Sequence, residues 1–122
     1  MVRRPSRAAP GSPTPVVRAD EAKLNEIVRR LAEMLQPERI YLFGSRARGD
    51  ARPDSDYDLL VVMEEGADEG HEAGQRAYGA MWGLHAPVEI LVMPARYFEW
   101  MLGAAASLPA TVQREGRLLY AA

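Results

Sequence analysis

The chain has no cysteine among its 122 residues. It therefore holds no disulfide, no thiolate nucleophile and no cysteine-bound metal, a composition expected of a reducing cytoplasm. No apolar run is long enough to cross a bilayer, so no membrane partner is expected. Its two histidines, His71 and His85, stand far apart with no ligand spacing and are expected at the surface or a helix end. No Lys-Ser or Lys-Thr follows a glycine-rich turn, which excludes a P-loop. The length is expected to allow one domain with one core and to leave no room for a second. Net charge is −2, so the chain as a whole is not a polyanion binder, and direct contact with nucleic acid is not expected.

The charge is unevenly spread. Residues 1–19 contain Arg3, Arg4, Arg7 and Arg18 and no acid, leaving net −6 for the remainder. This stretch lacks the apolar h-region of a signal peptide, and its four prolines argue against the amphipathic helix of a transit peptide. A disordered basic, Pro-rich tail over 1–19 and a single domain over 20–122 are expected.

Within that domain helix and strand patterns alternate. Asp20 is suited to an N-cap, and Leu24, Ile27, Val28, Leu31 and Leu35 form one helical stripe that Pro37 ends. Strands are expected at Arg39–Phe43, Tyr57–Met63 and Val88–Met93, with a short turn or helix through Arg46–Gly49 and a loop at Arg52–Ser55. Glu64 to Gly70 reads as an acidic connector. Ala73, Ala77, Met81 and Leu84 give a second helical stripe despite Gly74, Gly79 and Gly83, and Tyr97–Gly103 a third helix. The fold class is α/β (α+β), a small mixed sheet backed by helices. The methionines and Tyr97, Phe98, Trp82 and Trp100 suit packing or partner contact better than a cofactor site.

The richest stretch is Gly44 to Leu60, GSRARGDARPDSDYDLL. A strand delivers the chain into Gly44-Ser45, where a missing Cβ lets backbone approach phosphate oxygens. Ten residues then separate Ser45 from Asp56, with Asp58 two places on. In a strand such a pair shares one face, roughly 6–7 Å apart. A divalent cation, most simply Mg²⁺ with a polyphosphate, accounts for that pairing. Asp54, Asp56, Asp58 and Glu65 also match EF-hand loop positions, but Leu59 occupies the position that needs Gly. A merely polar turn explains Asp54 and Ser55. It does not explain Asp58 between Tyr57 and Leu59, where an unpaired carboxylate is costly.

Gly-Ser, a ten-residue spacer and Asp-x-Asp in a strand resemble the signature of the DNA polymerase β-type nucleotidyltransferase superfamily. Gly44-Ser45-Arg46-Ala47-Arg48-Gly49 is similar to the turn of its minimal nucleotidyltransferase (MNT) branch, and Arg114 to Tyr120 to the end of MNT chains. The resemblance spans about 20–122 and implies the polymerase β-type nucleotidyltransferase fold. It also implies a third carboxylate on a later apolar strand, supplied here by Glu89, where Asp is more usual.

In that family's terms Asp56, Asp58 and Glu89 would be the catalytic residues and the ligands of two Mg²⁺ ions, with Glu89 a metal ligand, a base or both. Gly44 and Ser45 would hold the β/γ-phosphates of ATP, and Arg46 or Arg48 would contact phosphate. Short MNT chains imply an antitoxin that transfers AMP from ATP to a tyrosine of a HEPN-type ribonuclease toxin, with which it forms a hetero-oligomer. Two other readings stay open: neutralisation of the partner by binding alone, and nucleotidyl transfer to a small molecule.

Overall fold

Residues 19–64 and 71–122 are described by a computed structural model. Of the expected tail over 1–19, residues 1–18 lie outside the described residues and Ala19 already belongs to the first helix; of the expected connector over 64–70, residues 65–70 lie outside them. The elements run α1 (Ala19–Leu35), β1 (Arg39–Phe43), α2 (Ser45–Arg48), β2 (Tyr57–Met63), α3 (His71–Ala80), β3 (Val88–Pro94), α4 (Ala95–Met101), α5 (Leu108–Glu115) and β4 (Arg117–Ala121).

The four strands form one mixed sheet in the order β3-β2-β1-β4. β1 pairs antiparallel with β2 and with β4, while β2 and β3 are parallel. Helices cover both faces, and β2 shows why its sequence is almost continuously apolar. Tyr57, Leu59, Val61 and Met63 pack with Leu24, Ile27, Leu31 and Leu35 of α1 and Ala73 and Ala77 of α3. The alternate residues Leu60 and Val62 pack with Tyr41, Phe98 of α4 and Val112 of α5. A strand buried on both faces cannot alternate apolar with polar. Asp58 breaks that run, on the α4/α5 side by its parity with Leu60 and Val62.

The free edge of β3 is partly covered: the Ile90 amide donates to the Tyr78 hydroxyl at 2.9 Å. That occupies one of the unpaired edge groups that would otherwise template further strand pairing.

α4 is anchored by Phe98, which is fully buried and stacks on Tyr41 with ring centroids 5.4 Å apart. The Arg39 guanidinium lies 4.8 Å from the Phe98 ring centroid and pairs with Glu99 at 3.3 Å. Phe98→Ala should therefore destabilise the fold by about 3–5 kcal/mol, the range for truncating a buried aromatic. Urea unfolding checks this, and a cost below about 1 kcal/mol would mean that α4 does not rely on this contact.

Three helix boundaries differ from the sequence expectation. α1 starts at Ala19, so Asp20 lies inside the helix instead of capping it. α3 ends at Ala80, before Met81 and Leu84, although Met81 stays buried. Its end is set from a distance, because the Arg30 guanidinium donates to the carbonyls of Ala80 and Trp82 at 3.2 and 2.8 Å. The Ala80 carbonyl is one that a helix end leaves open, the Trp82 carbonyl lies in the turn that follows, and Gly83 at φ +80° then turns the chain away. α4 begins two residues early, directly after Pro94, and stops at Met101. α5 and β4 had no assignment from the sequence pattern. Ser107 caps α5, its side chain accepting from the Ala110 amide at 3.1 Å.

Candidate active site

The end of β1 and the starts of β2 and β3 meet at one end of the sheet. Register places Phe43 beside Asp58 and Asp58 beside Glu89. Asp56 precedes β2, on the same side as Asp58. Asp56, Asp58 and Glu89 each offer a carboxylate oxygen, and these oxygens lie within 4.8 Å of one another. The three acids read from the sequence are thus brought together.

The Gly44-Ser45 turn lies directly against this cluster. Gly44 has φ +77° and ψ −157°, a backbone region essentially reserved for glycine. A Cβ built on Gly44 would collide with Oδ2 of Asp58. Glycine is required here to leave room for a carboxylate as well as to expose backbone. After Gly44 the chain winds into α2, where the Ala47 and Arg48 amides both donate to the Gly44 carbonyl at 3.1 Å. Gly49 closes this single turn in the left-handed conformation.

Asp58 is half-buried and its carboxyl is held above its ordinary value of 3.8. Burial is the largest cause, followed by the charges of Glu89 and Asp56, while Arg48 opposes the shift. Three crowded carboxylates, two exposed and one half-buried, form an oxygen-only donor set. That set fits a hard divalent cation such as Mg²⁺.

The two arginines of the turn have different surroundings. Arg48 is exposed, lies 3.4 Å from the Asp50 carboxylate, and its charge reaches Asp58. Arg46 instead donates to the Ser55 carbonyl from Nε and Nη2 at 3.1 and 2.9 Å, and from Nη2 to the Pro53 carbonyl at 3.1 Å. Its guanidinium also stacks on Tyr57, 4.0 Å from the ring centroid. The role of Tyr57 as a platform was not read from the sequence, although an aromatic between two aspartates could have signalled it.

Arg46 and Tyr57 also line an open cleft of about 780 Å³, together with Lys23, Leu42, Arg52 and Arg117. None of the three carboxylates lines it. His85 stands at its rim, exposed as expected; the side chain of His71 lies outside the described residues. Trp100 and Trp82 are 74% and 87% exposed, so neither belongs to the core.

Residues 22–117 match the family described as Nucleotidyltransferase domain. No curated protein matches the chain. Among solved structures, a toxin-antitoxin with AMP-PNP is 25% identical, with a TM-score of 0.52, covering 80% of this chain and 73% of that one. A Sulfolobus solfataricus protein described as a nucleotidyltransferase is 22% identical, with a TM-score of 0.54, covering 82% and 78%. A double Asp→Glu variant of the toxin-antitoxin MntA-HpeT is 23% identical, with a TM-score of 0.55, covering 80% and 73%. With the family match spanning most of this chain and the fold shared with these structures, the chain belongs to the nucleotidyltransferase domain family and has a polymerase β-type nucleotidyltransferase fold.

Proposed function

We propose that this chain is a protein adenylyltransferase antitoxin that moves AMP from ATP to a tyrosine of a HEPN-type toxin. The observation that carries the chemistry is the cluster of Asp56, Asp58 and Glu89, beside a glycine turn shaped around one of them. The AMP-PNP named with one similar toxin-antitoxin structure supports ATP as donor and a toxin as partner.

Asp56 and Asp58 would hold the Mg²⁺ that accompanies the triphosphate, and Glu89 would help hold a second. When bound, these ions neutralise phosphate charge and make the acceptor hydroxyl more acidic. The residues of the chain supply the rest. Gly44 and Ser45 hold the β- and γ-phosphates, and Arg48 adds a positive charge on the same side as Asp58. Glu89 accepts the proton of the tyrosine hydroxyl. The phenolic oxygen then bonds to the α-phosphorus, the bond from that phosphorus to the bridging oxygen breaks, and pyrophosphate leaves. Groups fixed before reaction contribute most as charge develops.

Neutralisation by contact alone keeps one supporting observation, the exposed pair Tyr97 and Trp100 on α4, edge to face at 6.1 Å. The deciding experiment is incubation of the chain and its partner with ATP labelled at the α-phosphate. Label should enter the partner and be lost when the acceptor tyrosine becomes Phe. Label entering only from the γ-position would make the protein a kinase and end this reading.

A further inference from the structure

We propose that Arg46 is a positioning residue that fixes Asp56 by clamping the chain on both sides of it. The inference rests on the nucleotidyl-transfer reading above and names a further part of the same site. Ser55 and Tyr57 are the immediate neighbours of Asp56. Arg46 donates two hydrogen bonds to the carbonyl of the first and stacks on the ring of the second. A third hydrogen bond, to Pro53, extends the grip along the loop.

The clamp has a firm base. Tyr57 is buried, and its amide donates at 2.8 Å to the carbonyl of Pro87, two residues before Glu89. At its other end Arg46 follows Ser45 within the single turn α2. One side chain therefore joins the Gly44-Ser45 turn to the segment carrying Asp56, across the ten-residue spacer. The loop's hydrogen bonds between Arg52 and Ser55, at 2.9 and 3.0 Å, shape a local turn but do not tie it to α2. Asp56 itself is exposed and lies outside the strand ladder, so the ladder alone does not fix it.

Only arginine suits this place. Its planar fork donates to neighbouring carbonyls while one face lies on an aromatic ring, and a lysine ammonium can do one or the other. Arg46 and Arg48 divide their tasks accordingly: Arg46 spends its donors on loop carbonyls, and Arg48 directs its charge toward the acids. The spacing Ser45-Arg46 to Ser55-Asp56-Tyr57 thus describes one mechanical unit.

The test uses the full chain with its partner, as wild type, Arg46→Lys, Arg46→Ala and Arg48→Ala. Mn²⁺ affinity is measured by electron paramagnetic resonance, and kcat and KM for ATP by label transfer. Arg46→Lys should remain folded and bind Mn²⁺ about 10-fold more weakly, as when a supporting partner of a ligand is lost. Its kcat should fall about 100-fold, the scale of a 1 Å misplacement, with KM for ATP within about threefold of wild type. Guanidinium ion should restore part of kcat to Arg46→Ala and none to Arg46→Lys. Arg48→Ala should show the reverse split, a raised KM with Mn²⁺ affinity kept. A raised KM in Arg46→Lys, with kcat and Mn²⁺ affinity unchanged, would make Arg46 a phosphate ligand and overturn the proposal. Unchanged values throughout would reduce it to a surface contact. If wild type binds Mn²⁺ but transfers no nucleotide, the proposed function fails, and the Mn²⁺ affinities still decide the role of Arg46.

Discussion

Asp58→Asn should raise the melting temperature of the cation-free protein while nearly abolishing nucleotidyl transfer. Asp58 is driven toward its protonated form by burial and by the charges of Glu89 and Asp56. Without a cation, the native state carries that penalty and the unfolded chain does not. Replacing the carboxylate with an isosteric amide removes it, with a gain that solvent screening holds to about 1 kcal/mol or less. In a domain of this size each kcal/mol corresponds to roughly 4–8 °C. Transfer should fall by at least about 10²–10³-fold, as when a fixed charge-stabilising group is removed. Added Mg²⁺ should stabilise wild type by mass action and the variant far less. A lower melting temperature for Asp58→Asn without cation would show that its neighbours stabilise the carboxylate and do not repel it.

The pH dependence follows in sign. Between the ordinary value of 3.8 and the raised native value, native Asp58 binds more proton than unfolded Asp58. Its contribution to stability therefore falls as pH rises through that window, is constant above it and vanishes below it. Glu26 has the opposite sign. Hydrogen bonds from Arg29 and Arg30 hold it at about 2, so its contribution is present above 4.5 and is lost as pH falls toward 2. The difference between wild type and Asp58→Asn isolates Asp58, and that difference should shrink on acidification from pH 7 toward 4.

Much of this site was legible because its parts are local. β1 and β2 keep the bounds read from their apolar runs, since a strand buried on both faces has little choice of residue. Glu89 was legible through the family resemblance, which implies a third carboxylate on a later apolar strand, and the register then sets it directly beside Asp58. What escaped was set by contacts distant in sequence. α3 stops where Arg30 reaches the carbonyls of Ala80 and Trp82, 50 and 52 residues away. β4 gives a weak pattern because Leu118 is exposed, although Gly116 before it is fixed tightly: a Cβ there would meet the carbonyls of Val112 and Leu42 at 2.7 and 2.8 Å. Arg46 and Arg48 are alike as letters in one turn. Only the fold shows that Tyr57 and the Ser55 carbonyl wait for the first of them.

Gly44→Ala should be the most damaging single change at the site, through two separable effects. The backbone at φ +77°, ψ −157° costs a residue with a Cβ about 1–3 kcal/mol in strain. The new methyl group would in addition occupy the place of the Asp58 carboxylate, so Asp58 must swing away from Asp56 and Glu89. Stability should fall by several degrees, Mn²⁺ affinity by at least about 10-fold, and transfer with it. A double-mutant cycle separates the two effects. In Gly44→Ala/Asp58→Ala the collision partner is absent, so only strain remains, and the coupling energy should be about 0.5–3 kcal/mol in favour of the double variant. Strict additivity in urea unfolding would mean that Gly44 is needed for its backbone conformation alone. The coupling expected here would make glycine the residue that lets the Gly44-Ser45 turn and the Asp58 carboxylate occupy one corner of the sheet.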